Sequence, residues 1–218
     1  MHLRKTAWMS VAPALLWSIA IGTGWVTLLR YDYESRPHES GPVPARWPTG
    51  SRIERDHDRA TLVMFAHPRC PCTRASIGEL ALLMAHCQGR LRAHVMFVQP
   101  VGTSDAGAKT DLWWSAAAIP GVTVAHDDGG AEARRFHVAT SGHTLLYGVR
   151  GELLLSGGIT ASRGHSGDNA GRSAVLALLH DEVADRQETL AFGCSLNDPE
   201  SPREGWTASW HEENRNWH

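Results

Sequence analysis

Pro71 stands between Cys70 and Cys72, directly after the apolar run Ala60–Ala66 and directly before a stretch where Ile77, Leu80, Ala81, Met84 and Cys87 recur at helical spacing. A short run rich in Leu, Val, Met and Phe reads as a buried strand, and the spacing beyond it reads as one apolar face of a helix over 71–87. Proline disfavours helical geometry in the residue before it and is preorganised for the first helical position. The strand must therefore end by Cys70, and Cys72 must fall in the first helical turn. A thiol pair fixed at a strand-to-helix junction points to an α/β fold.

The rest of the chain extends that pattern. A second strand reads at Ala93–Val98, a helix over Thr110–Ala118 that Pro120-Gly121 ends, a third strand at Val122–Ala125 and a short helix over Gly130–Phe136. Strand, helix and strand in succession imply right-handed parallel crossovers. Thr144–Tyr147 and Leu153–Leu155 flank Gly148-Val-Arg-Gly151, the spacing of a hairpin. A helix from Asn169 to Arg186 closes the domain, with Asp168 or Asn169 as its cap. The sequence thus divides into an anchor at 1–30, a proline-rich linker at 31–58, a folded domain at 59–186 and a polar tail at 187–218. Pro37, Pro42, Pro44 and Pro48 make the linker unable to fold alone.

The anchor rests on Ala7–Leu29, an uncharged run apolar on every side and long enough to cross a bilayer as one helix. Arg4 and Lys5 precede it, which favours a cytoplasmic N-terminus and an extracytoplasmic or periplasmic domain. The expectation is a single-pass, uncleaved signal-anchor in the inner (cytoplasmic) membrane, because the run exceeds an ordinary signal-peptide core and no A-x-A cleavage site follows it. A formal net charge of −2 removes the basic footprint that nucleic-acid binding requires, so nucleic acid is not an expected partner.

Four cysteines, at 70, 72, 87 and 194, are too few for a disulfide scaffold and favour reactive or metal-binding use of the close pair. Helix-end N–H groups and the helix dipole stabilise a thiolate at the junction, and Arg69, Arg74 and His67 are placed to lower its pKa further. By this argument Cys72 is the better nucleophile. A 70–72 disulfide would close a small, strained ring, which favours the reduced form. Cys87 lies far along the helix and reads as core. Cys194 has two readings, a resolving thiol or ligand that reaches back to the turn, or a free thiol in the tail. Among thirteen histidines, His143 has the best functional case, since it directly precedes the Thr144 strand and can tune a thiolate or ligate a soft metal. Arg163-Gly-His165 with Asp168 and Asn169 reads either as an anion site or as the cap of the last helix.

The segment Phe65-Ala-His-Pro-Arg-Cys-Pro-Cys-Thr-Arg74 resembles the active-site turn of the thioredoxin superfamily with one residue fewer between the cysteines. Ser156-Gly-Gly-Ile-Thr160 and Arg163-Gly-His-Ser-Gly-Asp-Asn-Ala-Gly171 extend the resemblance to the membrane-tethered RedB-like thioredoxin proteins. It spans roughly 60–179 and implies a thioredoxin-like sheet flanked by helices, preceded by one transmembrane helix. It also implies redox-active thiol–disulfide oxidoreductase chemistry at Cys70 and Cys72 without a cofactor, acting on protein thiols or disulfides outside the cytoplasm. By analogy with the family the attacking cysteine is Cys70.

The pattern departs from the family in a second place. Thr140-Ser-Gly-His143 stands where such sites carry a cis-proline, and the cost of a cis bond without proline makes Gly142–His143 an expected trans bond. Sco-type copper chaperones also place a cysteine pair and a histidine on this fold. The alternative expectation is therefore copper held by Cys70, Cys72 and His143. The missing threonine upstream of the cysteine argues against peroxiredoxin chemistry.

Overall fold

The strand opening at Ala60 is the middle of a five-stranded sheet. The computed structural model describes residues 2–33, 41–99, 109–180, 182, 184 and 187–196, with side chains of the first helix described over 13–30. Strand β1 (Ala60–Ala66) leads through the cysteine turn into α2 (Pro71–His86), and β2 (Leu91–Gln99) returns parallel to β1. Helix α3 (Asp111–Ala117) then crosses to β3 (Val122–Asp128), which pairs in parallel with β2. After the short α4 (Ala131–Arg135), the hairpin β4 (His143–Tyr147) and β5 (Leu153–Gly158) adds antiparallel to the other side of β1. The sheet order is β3-β2-β1-β4-β5, and α5 (Ala170–Leu179) follows. This is a thioredoxin-like α/β sheet flanked by helices. The last helix ends at Leu179, short of the expected Arg186.

Alternation along β1 divides the core in two. Leu62, Met64 and Ala66 pack with Ile77, Leu80 and Leu83 of α2 and Val175 of α5, whereas Val63 and Phe65 pack with Phe136, Leu145 and Tyr147 on the opposite face. Cys87 is buried in the α2 cluster.

Both flanks of the domain depart from the expected spacer and tail. Trp47 stacks edge-on against Phe136 and Tyr147, with ring centroids 5.3 and 5.1 Å apart. Its N–H donates to Gly151 O (2.7 Å), Leu153 N–H donates to Ala45 O (2.9 Å), and Ile53 is buried. Prolines remove ladder donors but leave an extended segment that docks by its remaining backbone groups and one aromatic ring. On the other flank, Ser156 N–H donates to Gln187 O and Thr189 N–H to Ser156 O. The chain then crosses Gly157 and Gly158, where a Cβ would collide with the backbone at Thr189 and Leu190. Phe192 and Leu196 end buried. The stretch read as polar tail is thus docked through Leu196, and 197–218 lies outside the described residues.

Helix α1 (His2–Tyr33) falls in a separate unit. Its large apolar side chains, including Leu16, Trp17, Ile19, Trp25 and Leu28, are exposed. Hydroxyls of Ser18, Thr23 and Thr27 each donate to the carbonyl four residues back. Among the described residues no helix is long and apolar enough to cross a membrane. The transmembrane helix expected over 7–29 is not recovered among the described residues, where Trp17, Gly22, Thr23 and Gly24 interrupt the apolar run ahead of Arg30.

Candidate functional site

Cys70 occupies the N-cap of α2 in extended geometry (φ −81°, ψ 119°), with Pro71 in the first turn. The backbone therefore turns where Pro71 requires. Thr73 N–H donates to Cys70 O at 3.1 Å, closing the first turn, and Cys70 N–H donates to His67 O at 3.2 Å. Cys70 is fully buried, whereas Cys72 and Cys194 are partly exposed.

Three sulfurs meet at this helix end. The Cys194 backbone N–H donates to Cys70 Sγ at 3.4 Å. Hydrogen bonds from the Cys194 thiol, then the Cys72 thiol, hold the Cys70 thiol far below its ordinary pKa; burial opposes them, and the Cys194 N–H and the Thr73 side chain add to them. The same bonds push Cys72 and Cys194 well above theirs, with burial and the Cys70 charge adding to the effect. The arrangement favours charge on Cys70 over Cys72 and Cys194. None of the four cysteines is in a disulfide.

Cys194 reaches the turn along the backbone immediately before β4. Ser141 N–H donates to Cys194 O (2.8 Å), Leu196 N–H donates to Ala139 O (2.8 Å), and Thr140 bridges antiparallel to Ser195. Gly193 allows the approach, because a Cβ there would overlap the Ser141 carbonyl. Residues 139–141 are themselves tied to the turn. His67 N–H donates to Ser141 Oγ (2.8 Å), which also bonds Thr73 Oγ1 (2.7 Å), and Gly142 N–H donates to Phe65 O. Gly142 needs its positive φ of 83°, and a Cβ there would lie 2.8 Å from Ser76 Oγ. There is no cis peptide bond among the described residues, so Gly142–His143 is trans as expected.

The histidines and arginines fall differently from the sequence reading. Burial chiefly depresses the His67 pKa, opposed by the Cys70 charge, so the ring is a neutral neighbour of the thiolate and its Nδ1 accepts from Arg69 N–H at 3.2 Å. Arg69 is exposed, and Arg74 pairs with Asp111. Hydrogen bonds from thiols and backbone favour the charge on Cys70. His143 is buried, and its Nε2 bonds Ser156 Oγ at 2.9 Å across β4 and β5. Alternation places it with Leu145 and Tyr147, on the face away from α2. Among the described residues no three His, Cys, Asp or Glu side chains are disposed to hold a metal ion. The alternative copper set of Cys70, Cys72 and His143 is therefore not assembled.

Arg163 is the site residue that the sequence reading placed in another role. It faces both thiols, hydrogen-bonding Cys72 and lowering the cost of charge on Cys72 and Cys194. Its Nη1 also donates to Gly193 O at 3.2 Å. The loop carrying it is held from below by Glu79 of α2. That fully buried carboxylate accepts from Gly167 N–H (2.7 Å) and Asn169 Nδ2 (3.2 Å) and pairs with Arg172. Asn169 also caps α5 through its Oδ1, which accepts from Arg172 N–H at 2.7 Å. The 163–171 motif was visible in sequence, but only the fold aims Arg163 at sulfur.

No family model matches the chain, and neither does any curated protein. Among solved structures it is similar to a hypothetical protein from Sinorhizobium meliloti, at 18% identity and a TM-score of 0.55, over 72% of this chain and 96% of that one. It is also similar to an uncharacterized conserved protein from Geobacillus kaustophilus, at 14% identity and a TM-score of 0.56, over 74% of this chain and 96% of that one. A secreted Mycobacterium tuberculosis disulfide oxidoreductase matches at 18% identity over 44% of this chain and 66% of its own, with a TM-score of 0.37. At these identities the likeness is one of fold alone, a fold that both near-complete matches share with this chain.

Proposed function

We propose that this chain is a membrane-tethered thiol–disulfide oxidoreductase of the RedB-like kind, acting outside the cytoplasm on protein thiols or disulfides. The observation that carries the reading is the convergence of Cys70, Cys72 and Cys194 at the start of α2, where Cys70 caps the helix and its Sγ accepts the Cys194 N–H, an arrangement that favours charge on Cys70. A thiolate is the nucleophile of disulfide exchange, and a second thiol within reach resolves the mixed disulfide. Cys70 Sγ attacks one sulfur of the partner's disulfide and the other leaves as thiolate. A neighbouring thiol of this chain then attacks Cys70 Sγ and releases the partner's remaining sulfur. The partner gains two electrons, and an external dithiol returns the site to its reduced form.

Tethering rests on the uncharged run 7–29, the basic pair Arg4 and Lys5 ahead of it and the exposed apolar side chains of α1. The in-helix bonds of Ser18, Thr23 and Thr27 leave those hydroxyls satisfied in an apolar surrounding.

Reduction of a protein disulfide by the full chain, with a dithiol as electron donor, tests the activity. Cys70→Ser is expected to abolish turnover and Cys87→Ser to leave it unchanged. Turnover that survives Cys70→Ser would sink the reading.

A further inference from the structure

Resting on the oxidoreductase reading, we infer that Cys194 is the resolving thiol, carried to Cys70 by residues 187–196 acting as a strap, and that the oxidised site is a 70–194 disulfide. Three independent features lead there. The first is approach: Cys194 presents both its backbone N–H and its thiol to Cys70 Sγ. The second is construction. The strap is bonded to Ser156 at one end and to Ala139 and Ser141 at the other; it passes Gly157 and Gly158, and its own Gly193 meets Ser141, at separations that no side chain would permit. A segment built this closely holds Cys194 in one place.

The third feature is the poor suitability of Cys72. Cys70 and Cys72 flank Pro71, whose φ is fixed, and Cys70 accepts the Thr73 N–H that closes the first turn. A 70–72 bond would close a small ring across that proline at the expense of the turn. Cys194 comes from a separate segment, so a bond to it leaves α2 intact. Arg163 faces Cys194 and eases its ionisation when it becomes the attacking group.

The strap also covers the nucleophile. Cys70 has no exposed surface and the Cys194 N–H lies 3.4 Å from its Sγ, so an incoming partner sulfur competes with Cys194 for that side of the nucleophile. The strap and the partner's cysteine segment thus take turns at one place. Exchange proceeds in two balanced steps. Cys70 thiolate attacks the partner disulfide, forming a mixed disulfide and releasing one partner thiolate, which takes up the Cys194 proton. The Cys194 thiolate then attacks Cys70 Sγ, forming the 70–194 bond and releasing the second partner thiolate.

Oxidised glutathione is a suitable probe, added to the full chain in detergent and followed by peptide mass mapping after acid quench. Wild type and Cys72→Ser are expected to yield a 70–194 disulfide and two released glutathiones. Cys194→Ser is expected to stop at a Cys70–glutathione adduct that decays at least about tenfold more slowly. A 70–72 bond in wild type, or an adduct in Cys194→Ser that decays at the wild-type rate, overturns the assignment while leaving the oxidoreductase reading standing. Failure of wild type to form any adduct or disulfide at Cys70 overturns both. Mapping of wild type needs no variant to fold.

Discussion

The charge on Cys70 is a property of donors that can be removed singly. Each thiol donor supplies a charge-assisted hydrogen bond, about 1.5–3 kcal/mol for a charged acceptor, which corresponds to roughly one to two pH units in the midpoint of the thiolate. Cys194→Ala and Cys72→Ala are each expected to raise that midpoint, read from ultraviolet thiolate absorbance, and Cys70→Ala to abolish the transition on the acid side of the ordinary thiol range. An unmoved midpoint in both donor variants would contradict the hydrogen-bond origin of the shift. The sign for stability follows from the same depression. Because the folded pKa of Cys70 lies below that of an unfolded thiol, its ionisation contributes fully above the unfolded value. That contribution is lost as pH falls through the folded value. Below the unfolded thiol range, denaturation midpoints of wild type should rise from acid toward neutral pH relative to Cys70→Ala; above it the raised Cys72 and Cys194 thiols oppose the gain.

At the scale of elements, the two flanking segments are stabilised by means that leave little pattern in sequence. Strand β1, helix α2 and the hairpin were legible because periodicity and Pro71 specify them directly. The 43–58 segment was not, since its attachment depends on backbone groups of Ala45 and Trp47 and on one indole ring. Residues 187–196 carry no alternation either. Their signal was the Gly157-Gly158 pair on β5, which reads as a motif in sequence but discloses its purpose only when Thr189 and Leu190 lie across it. Cys194 was a named candidate, yet only the pairing of 139–141 with 194–196 shows what brings it to Cys70. Arg163 was visible for the same reason and ambiguous for the same reason. Trp47→Ala is expected to cost about 2 kcal/mol, below the usual 3–5 for a fully buried ring because Trp47 is half-buried. Urea unfolding would show it as a lower midpoint with an unchanged slope.

For the whole molecule, the separate α1 unit makes location a testable matter. Removing residues 1–30 is expected to move the chain from the membrane fraction into the soluble extract while leaving disulfide reduction by the remaining domain within about twofold of the full chain. Retention in an alkali-washed membrane pellet after that removal would contradict the anchor. The two flanking segments carry a further consequence at this scale. Both attach to β5, residues 45–47 at its start and 187–189 at its end. An outermost strand ordinarily offers a row of unsatisfied amides that templates assembly with a neighbour. Here residues 45–47 and 187–189 take up amide and carbonyl groups at Leu153 and Ser156 on that row, so the same stitching that delivers a sulfur to the helix also discourages this border of the sheet from recruiting another copy into an aggregate.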